Sequence, residues 1–204
     1  MIYEMRIYTL TVGGVDEFEE NFSKAIEQRQ KLSKMVGFFH TEIGDLNRVM
    51  HIWEYENSEH RAKVRAETVK QPWWPPKNAH LILKQTSKIL LAAPFRPEPR
   101  SGTLGNLYEF RTYTVQPGKM NEVISRWTQN LPPREKLSPL AACFTSEMGP
   151  LNEFIHVWPY KDLNHRAEIR AASRKLPNWP PGSRPFLAAQ NSEIWVPAAF
   201  SPMH

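Results

Sequence analysis

Cysteine is nearly absent. Cys143 is the only one in 204 residues, so no disulfide framework can form, and a reducing compartment fits. It lies in the apolar run Leu140-Ala141-Ala142-Cys143-Phe144, where a lone cysteine is more often a small core residue than a nucleophile. No stretch reaches the roughly 18 apolar residues of a membrane span. Strand-like alternation begins at Ile2, which leaves no room for a targeting peptide, and a cytoplasmic location is expected. The net charge is +5, yet no block of like charge exists. Lys and Arg are scattered and mixed with Glu, which argues against a nucleic-acid partner. Neither a Gly-rich phosphate loop nor a Gly-x-Ser-x-Gly elbow is present. Without a helical His pair or a Cys cluster, neither a metal site nor a cofactor is expected. The one arrangement weighed against this is His51 meeting His156 near a shared axis.

What the chain does have is itself, twice. Tyr3-Glu4-Met5-Arg6-Ile7-Tyr8-Thr9 returns as Tyr108-Glu109-Phe110-Arg111-Thr112-Tyr113-Thr114, an offset of 105 residues. The same offset pairs His51-Ile52-Trp53 with His156-Val157-Trp158, His60-Arg61-Ala62 with His165-Arg166-Ala167, and Trp74-Pro75-Pro76 with Trp179-Pro180-Pro181. Roughly thirty identities make this one unit used twice. The expected plan is a first repeat over 1–95, a linker over 96–106 and a second repeat over 107–204. The linker, rich in proline from Pro94 onward, reads as extended and unpaired.

Within a repeat, residues 2–10 alternate and are rich in Tyr, Ile and Thr, the pattern of a strand. Val15, Phe18, Phe22, Ile26 and Leu32 follow helical spacing to about Lys34, behind acidic residues that suit the positive end of the helix dipole. Strands over 38–43 and 48–55 flank a short turn at Gly44-Asp45-Leu46-Asn47 and form a hairpin. Asn57 or Ser58 caps a second helix to about Val69, with Asp162 at the equivalent of Asn57. A last strand runs from Gln85 to Ala92. The order β-α-β-β-α-β is ferredoxin-like. In the second repeat the first helix is expected to stop near Leu131, because Pro132-Pro133 follows. A ferredoxin-like sheet has helices on one face, so two of them can cover each other's bare faces in one barrel. The expected fold is α+β: two tandem ferredoxin-like repeats forming one pseudo-twofold barrel.

Period two sorts the strand residues into faces. Glu4, Arg6 and Tyr8 share one, as do His51, Trp53 and Tyr55, with Glu109, Arg111, Tyr113, His156, Trp158 and Tyr160 in the second copy. Their alternates Met5, Ile7, Met50 and Ile52 suit packing under helices. The polar and aromatic set is therefore expected between the sheets, where aromatic walls with a few placed charges would make a ligand pocket. The plainer alternative is a structural salt bridge from Arg6 to Glu4. Arg29 and Arg134 fall on the apolar faces of their helices, and Glu42 and Glu147 are the expected partners for buried pairs. Arg61 and Arg65 share a helix face and are expected to pair with glutamates. Trp74 and Trp179, fixed between prolines, either staple a loop or wall a pocket.

The stretch from Gly37 to Trp53, the strand Tyr108-Glu109-Phe110-Arg111-Thr112-Tyr113 and the His-Arg-Ala-x-x-Arg helix starts resemble the NIPSNAP family. The resemblance spans the chain as two domains in tandem and implies the dimeric α/β-barrel fold, whose members include cofactor-free monooxygenases, lyases, isomerases and haem enzymes. Haem is therefore the minor alternative to no cofactor. The family carries no agreed catalytic residues. Eukaryotic members act in trafficking or mitochondrial signalling and carry organellar targeting segments; none is expected here, which sets those roles aside.

Two functional classes follow. In the first, the pocket takes a small carbonyl-bearing or aromatic molecule and acts without a metal. Arg6 or Arg111 would stabilise an oxyanion, and His51 or His156 would be general acid or base. Tyr8, Tyr113, Trp53, Trp158, Trp74, Trp179, Glu4 and Glu109 would bind substrate. In the second, the chain is a binding or interaction protein whose polar interior is structural. Partners expected are a small molecule and, in either class, further copies of the chain.

Overall fold

The computed structural model describes residues 1–204. Eight strands and four helices run β1 (Ile2–Leu10), α1 (Val15–Gln30), β2 (Met35–Ile43), β3 (Arg48–Tyr55), α2 (Ser58–Thr68), β4 (Ile82–Ala92), β5 (Leu107–Val115), α3 (Met120–Glu135), β6 (Ala142–Met148), β7 (Glu153–Tyr160), α4 (Leu163–Ser173) and β8 (Leu187–Pro197). The strands close one barrel in the order β1-β3-β2-β8-β5-β7-β6-β4. Every pairing is antiparallel, and the two seams between repeats are β2 with β8 and β4 with β6. No helix is long and apolar enough to cross a membrane.

The local signals account for these elements. The Asn57 and Asp162 side chains cap α2 and α4 by accepting from the backbone N–H of His60 and His165. Asn47 and Asn152 close the hairpin turns with φ of 54° and 58°, a left-handed conformation that asparagine tolerates. Helix α3 does not stop at Leu131; it continues through Pro132 and Pro133 to Glu135. Each proline keeps a helical φ but removes a hydrogen bond and crowds the carbonyl four residues back, and the buried Leu131 and Arg134 hold the last turn against the sheet despite that cost. The linker contains no strand, but it is not unpaired. Gly102 bridges Met203, with the Gly102 N–H donating to Pro202 O at 2.8 Å and the His204 N–H to Gly102 O at 3.1 Å. The chain end thereby satisfies backbone groups that would otherwise lie orphaned.

The faces are the reverse of the expectation. The barrel interior is one apolar cluster drawn from all eight strands, including Met5, Phe39, Met50, Ile52, Phe110, Phe144, Ile155 and Trp195. The polar and aromatic set points outward, under the helices. There it joins Phe18, Phe22 and Ile26 of α1 in one cluster and Val123, Trp127 and Leu131 of α3 in another. Alternation separates two sets of residues but does not say which goes inside. The middle of an eight-stranded barrel is narrow enough for side chains to fill. Methionines, isoleucines and phenylalanines fill it, and charge enters only in pairs at one end, Arg48 with Glu193 and Lys88 with Glu153.

The repeats also interlock. Phe95, beyond β4, stacks on Trp127 of α3 with ring centroids 6.3 Å apart. Its counterpart Phe200, beyond β8, stacks on Phe22 of α1 at 6.1 Å. Each repeat's tail thus completes the other's helical layer.

Candidate functional site

Between α1, α2 and the outer face of the sheet lies a cavity of about 240 Å³, lined among others by Glu4, Arg6, Tyr8, Arg29, His51 and Trp74. Strand pairing builds its floor, because β1 and β3 place Arg6 opposite His51 and Glu4 opposite Trp53. Helix α1 supplies one wall. Phe18, Phe22, Ile26 and Arg29 are spaced by three and four residues, so all four face the sheet. Helix α2 brings Arg61 and Arg65, one turn apart, over the edge of β1.

Three arrangements dominate the chemistry. Glu4 is fully buried. Its Oε1 accepts from Arg6 at 2.8 Å, Arg61 at 2.7 Å and Ser87 at 2.8 Å, with Arg65 at 3.8 Å. Burial alone would raise the carboxyl, but hydrogen bonds from Arg61, Ser87 and Arg6 outweigh it and bring it down to about 2. Arg6 also donates through Nε to the Tyr8 hydroxyl at 2.8 Å. The salt bridge weighed for Glu4 and Arg6 exists, and Arg61 and Arg65 turn to the same carboxylate.

Arg29 is different. It is 3% exposed and pairs with no carboxylate. Its guanidinium donates to Ser33 Oγ at 2.8 Å and to the Tyr55 hydroxyl at 3.1 Å, and lies over Trp53 at 4.1 Å. Its Nε finds no partner. Glu42, the expected partner, is exposed near the end of β2 and makes no ion pair with Arg29. Burial is the main force lowering the Arg29 pKa, and nearby Arg65 adds to it. A cation held among neutral groups and aromatic faces is under-compensated.

His51 is buried and neutral. The Trp53 indole Nε1–H donates to His51 Nδ1 at 2.6 Å, so the ring proton is assigned to Nε2. Nε2 has no partner in the protein. Burial foremost, then the charge of Arg6, brings the imidazole down to about 3. At neutral pH it is a hydrogen-bond donor at Nε2, and its only lone pair in the ring plane is already occupied.

The second repeat builds the same site with a cavity of about 310 Å³. Glu109 accepts from Arg111 at 2.6 Å, Arg166 at 2.7 Å and Ser192 at 2.6 Å, which hold its carboxyl at about 2 against the upward pull of burial. Arg134 reaches Ser138 Oγ at 3.2 Å and the Tyr160 hydroxyl at 3.4 Å, and lies 4.0 Å over Trp158. It too lacks a carboxylate, since Glu147 is exposed on β6. The Trp158 Nε1–H donates to His156 Nδ1 at 2.7 Å, and His156 Nε2 is unpartnered. Burial lowers this imidazole well below its ordinary value.

The twelve residues singled out from the sequence therefore form two groups of six. Glu4, Arg6, Tyr8, His51, Trp53 and Trp74 line the first cavity. Arg111, Tyr113, His156, Trp158 and Trp179 line the second, with Glu109 bonded behind Arg111. They do not meet around an axis: His51 and His156 belong to separate helical layers, both outside the barrel, so the two-histidine arrangement is not formed. Cys143 is buried in the second layer, and burial raises its thiol. Missed from the sequence were the serines that anchor the charges. Ser33 and Ser138 hold the unpaired arginines, and Ser87 and Ser192 the glutamates. Each pair is identical at the 105-residue offset, a signal that identity alone would have supplied.

An antiparallel eight-stranded barrel with paired helix-covered wells, built from two ferredoxin-like repeats, defines a dimeric α/β-barrel whose halves share one chain. The NIPSNAP family model matches residues 3–97 and 108–202, and the chain belongs to that family. A NipSnap homolog of Dictyostelium discoideum is 32% identical over 87% of this chain and 78% of its own length. Human NipSnap homolog 3A is 30% identical over 100% of this chain and 86% of its own. Among solved structures, a putative monooxygenase from Fusobacterium nucleatum superposes with a TM-score of 0.68 over 96% of this chain and 91% of its own, at 9% identity. That likeness is one of fold alone.

Proposed function

We propose that each well binds a small molecule with an apolar or aromatic body and a carboxylate-like or carbonyl head, and that the protein acts on it without a metal. One observation carries this: an under-compensated buried guanidinium, Arg29 or Arg134, in the same well as a buried histidine whose Nε2–H is free. An anionic head would supply the charge that Arg29 lacks. His51 Nε2–H would donate to a carbonyl and to the oxyanion formed as water in the well takes the α-proton and that carbonyl enolises. This is the work of a neutral imidazole as electrophile, and it replaces the general-base role first considered for His51 and His156. Arg6 and Arg111, tied to their glutamates and tyrosines, would orient Tyr8 and Tyr113 toward the ligand. Trp74 and Trp179 would close the apolar side. The family fold selects no reaction by itself; proton transfer beside a carbonyl is the chemistry these groups serve.

The alternative, a structural polar layer without a ligand, is favoured by the Glu4 and Glu109 clusters, where each buried carboxylate holds three arginines. The two readings diverge at Arg29→Met/Arg134→Met. A ligand-directed arginine held at a cost to the fold should yield a variant at least as stable as wild type that no longer binds benzoate or phenylpyruvate by isothermal titration. A structural arginine should yield a destabilised variant. α-Proton exchange of phenylpyruvate in deuterated water, followed by NMR, reads the chemical step. Exchange no faster with protein than without it would leave a binding protein.

A further inference from the structure

We propose that the two wells take ligands of different charge: the first a monoanion, the second a molecule bearing a dianionic group of the phosphate-monoester or dicarboxylate kind. This rests on the ligand-binding reading above and adds a specificity to it.

Most lining residues change little between the copies. Trp74 is matched by Trp179, Thr68 by Ser173, Ile82 by Leu187 and Gln85 by Gln190. The mouths differ. Val69, on the rim of the first well, becomes Arg174 in the second, and Ala79 becomes Arg184. Both arginines line the second cavity and are exposed. Neither joins an ion pair, whereas Arg166 and Arg170 beside them both turn to Glu109. The lining of the first well carries Arg6, Arg29 and Arg65 against Glu4; the second has Arg111, Arg134, Arg170, Arg174 and Arg184 against Glu109. With the deep arginine already suited to one negative charge, two free guanidinium forks at the mouth suit further charge, and their planar donors match phosphate or carboxylate oxygens. The second well is also the roomier, at about 310 Å³ against about 240 Å³. Exposed arginines are ordinarily just solvated. What distinguishes these is that both fall on a pocket rim where the paired copy has an apolar side chain.

The test uses the full chain, titrated calorimetrically with benzoate and with phenyl phosphate and phthalate. The expected result is that one of the dianions binds one site more tightly than benzoate does, with an affinity that falls as salt rises. Arg174→Val/Arg184→Ala, which copies the first well's rim, should weaken that binding by about tenfold and leave benzoate unchanged. Both side chains are exposed, so the fold should persist. The reciprocal Val69→Arg/Ala79→Arg should add a second dianion site. The response of phenyl phosphate against phthalate separates phosphate from dicarboxylate. Benzoate binding with no preference for either dianion, or a preference untouched by removing both arginines, overturns this proposal and leaves the ligand-binding reading standing. Failure of benzoate and both dianions to bind overturns both.

Discussion

The two faces of the same strands have opposite characters. The inner face of the barrel is apolar along its middle, where Phe39, Phe144 and Trp195 are at most 1% exposed and pack on methionine and isoleucine. At one end its ions pair with each other, Arg48 with Glu193 and Lys88 with Glu153. One residue further along each strand, the outer face holds buried glutamate, arginine and histidine under the helices. A face that only packs can be filled with carbon. A face that carries buried charge must supply a partner for each ion, and the outer layers do so for Glu4 and Glu109 while leaving Arg29 and Arg134 without a carboxylate. The difference teaches where stability and function separate in this fold: the buried ions left without a counter-charge, Arg29 and Arg134, lie between helix and sheet.

Acid should break this contrast most strongly, because the buried groups with lowered pKa values lie on the outer face. His51 falls from 6.5 to about 3 and His156 falls in the same direction. Between roughly pH 6.5 and 3 the unfolded chain takes up protons that the native histidines refuse. Stability then declines as pH falls, by about 1.4 kcal/mol per pH unit for His51, and His156 adds a loss of the same sign. Glu4 and Glu109 fall from 4.5 to about 2. Their stabilisation is complete above pH 4.5 and is lost as pH drops toward 2. Urea unfolding across pH 7 to 3 should therefore show a decline that starts near 6.5 and steepens below 4.5. His51→Gln/His156→Gln should flatten the upper part and leave the lower part. A wild-type stability that is level from pH 7 to 5 would contradict the assignment of neutral, buried histidines.

Substitution inside the barrel is the next largest effect. Phe39 contacts Tyr108 and Phe110 across the seam between repeats, with centroids 5.2 and 5.3 Å apart. Phe39→Ala should cost about 3–5 kcal/mol in urea denaturation, while Arg29→Met on the outer face should cost nothing. Equal losses at the two positions would erase the distinction between the faces.

Much of this architecture was legible in the sequence, and the failures are instructive. The 105-residue offset, the β-α-β-β-α-β order and closure into one body could be read because each rests on local periodicity or on self-comparison. Orientation could not. Met5 and Arg6 alternate, but nothing local says which side closes on itself, since that depends on eight strands meeting. The grouping of Glu4, Arg6, His51 and Trp74 was visible through face and repeat. The environment of Arg29 was not: its partners Ser33 and Tyr55 lie 4 and 26 residues away, and only the packed structure shows that Glu42 makes no ion pair with it. The rim arginines Arg174 and Arg184 were hidden because they lie where the repeats disagree, and attention to identity passes over such positions.

The smallest effect concerns the boundary between the two halves. At one end of the barrel Arg48 pairs with Glu193, and Lys88 with Glu153 at 2.5 Å. These are the same contact seen twice, since Arg48 and Glu153 are equivalent positions, as are Lys88 and Glu193. The first repeat supplies both cations and the second both anions. Two copies of the first repeat would set Arg48 against Lys88, and two copies of the second would set Glu153 against Glu193, so the charges favour closure of unlike repeats. The pairs are only 13–17% exposed, and a coupling of about 1 kcal/mol is expected, near the upper end for ion pairs that water still reaches. Arg48→Glu and Glu193→Arg should each destabilise the chain, and the double exchange should recover most of the loss in a thermodynamic cycle. Losses that simply add would show that the seam is held by its strand pairing and apolar filling alone, with the charge segregation contributing nothing to the choice of partner.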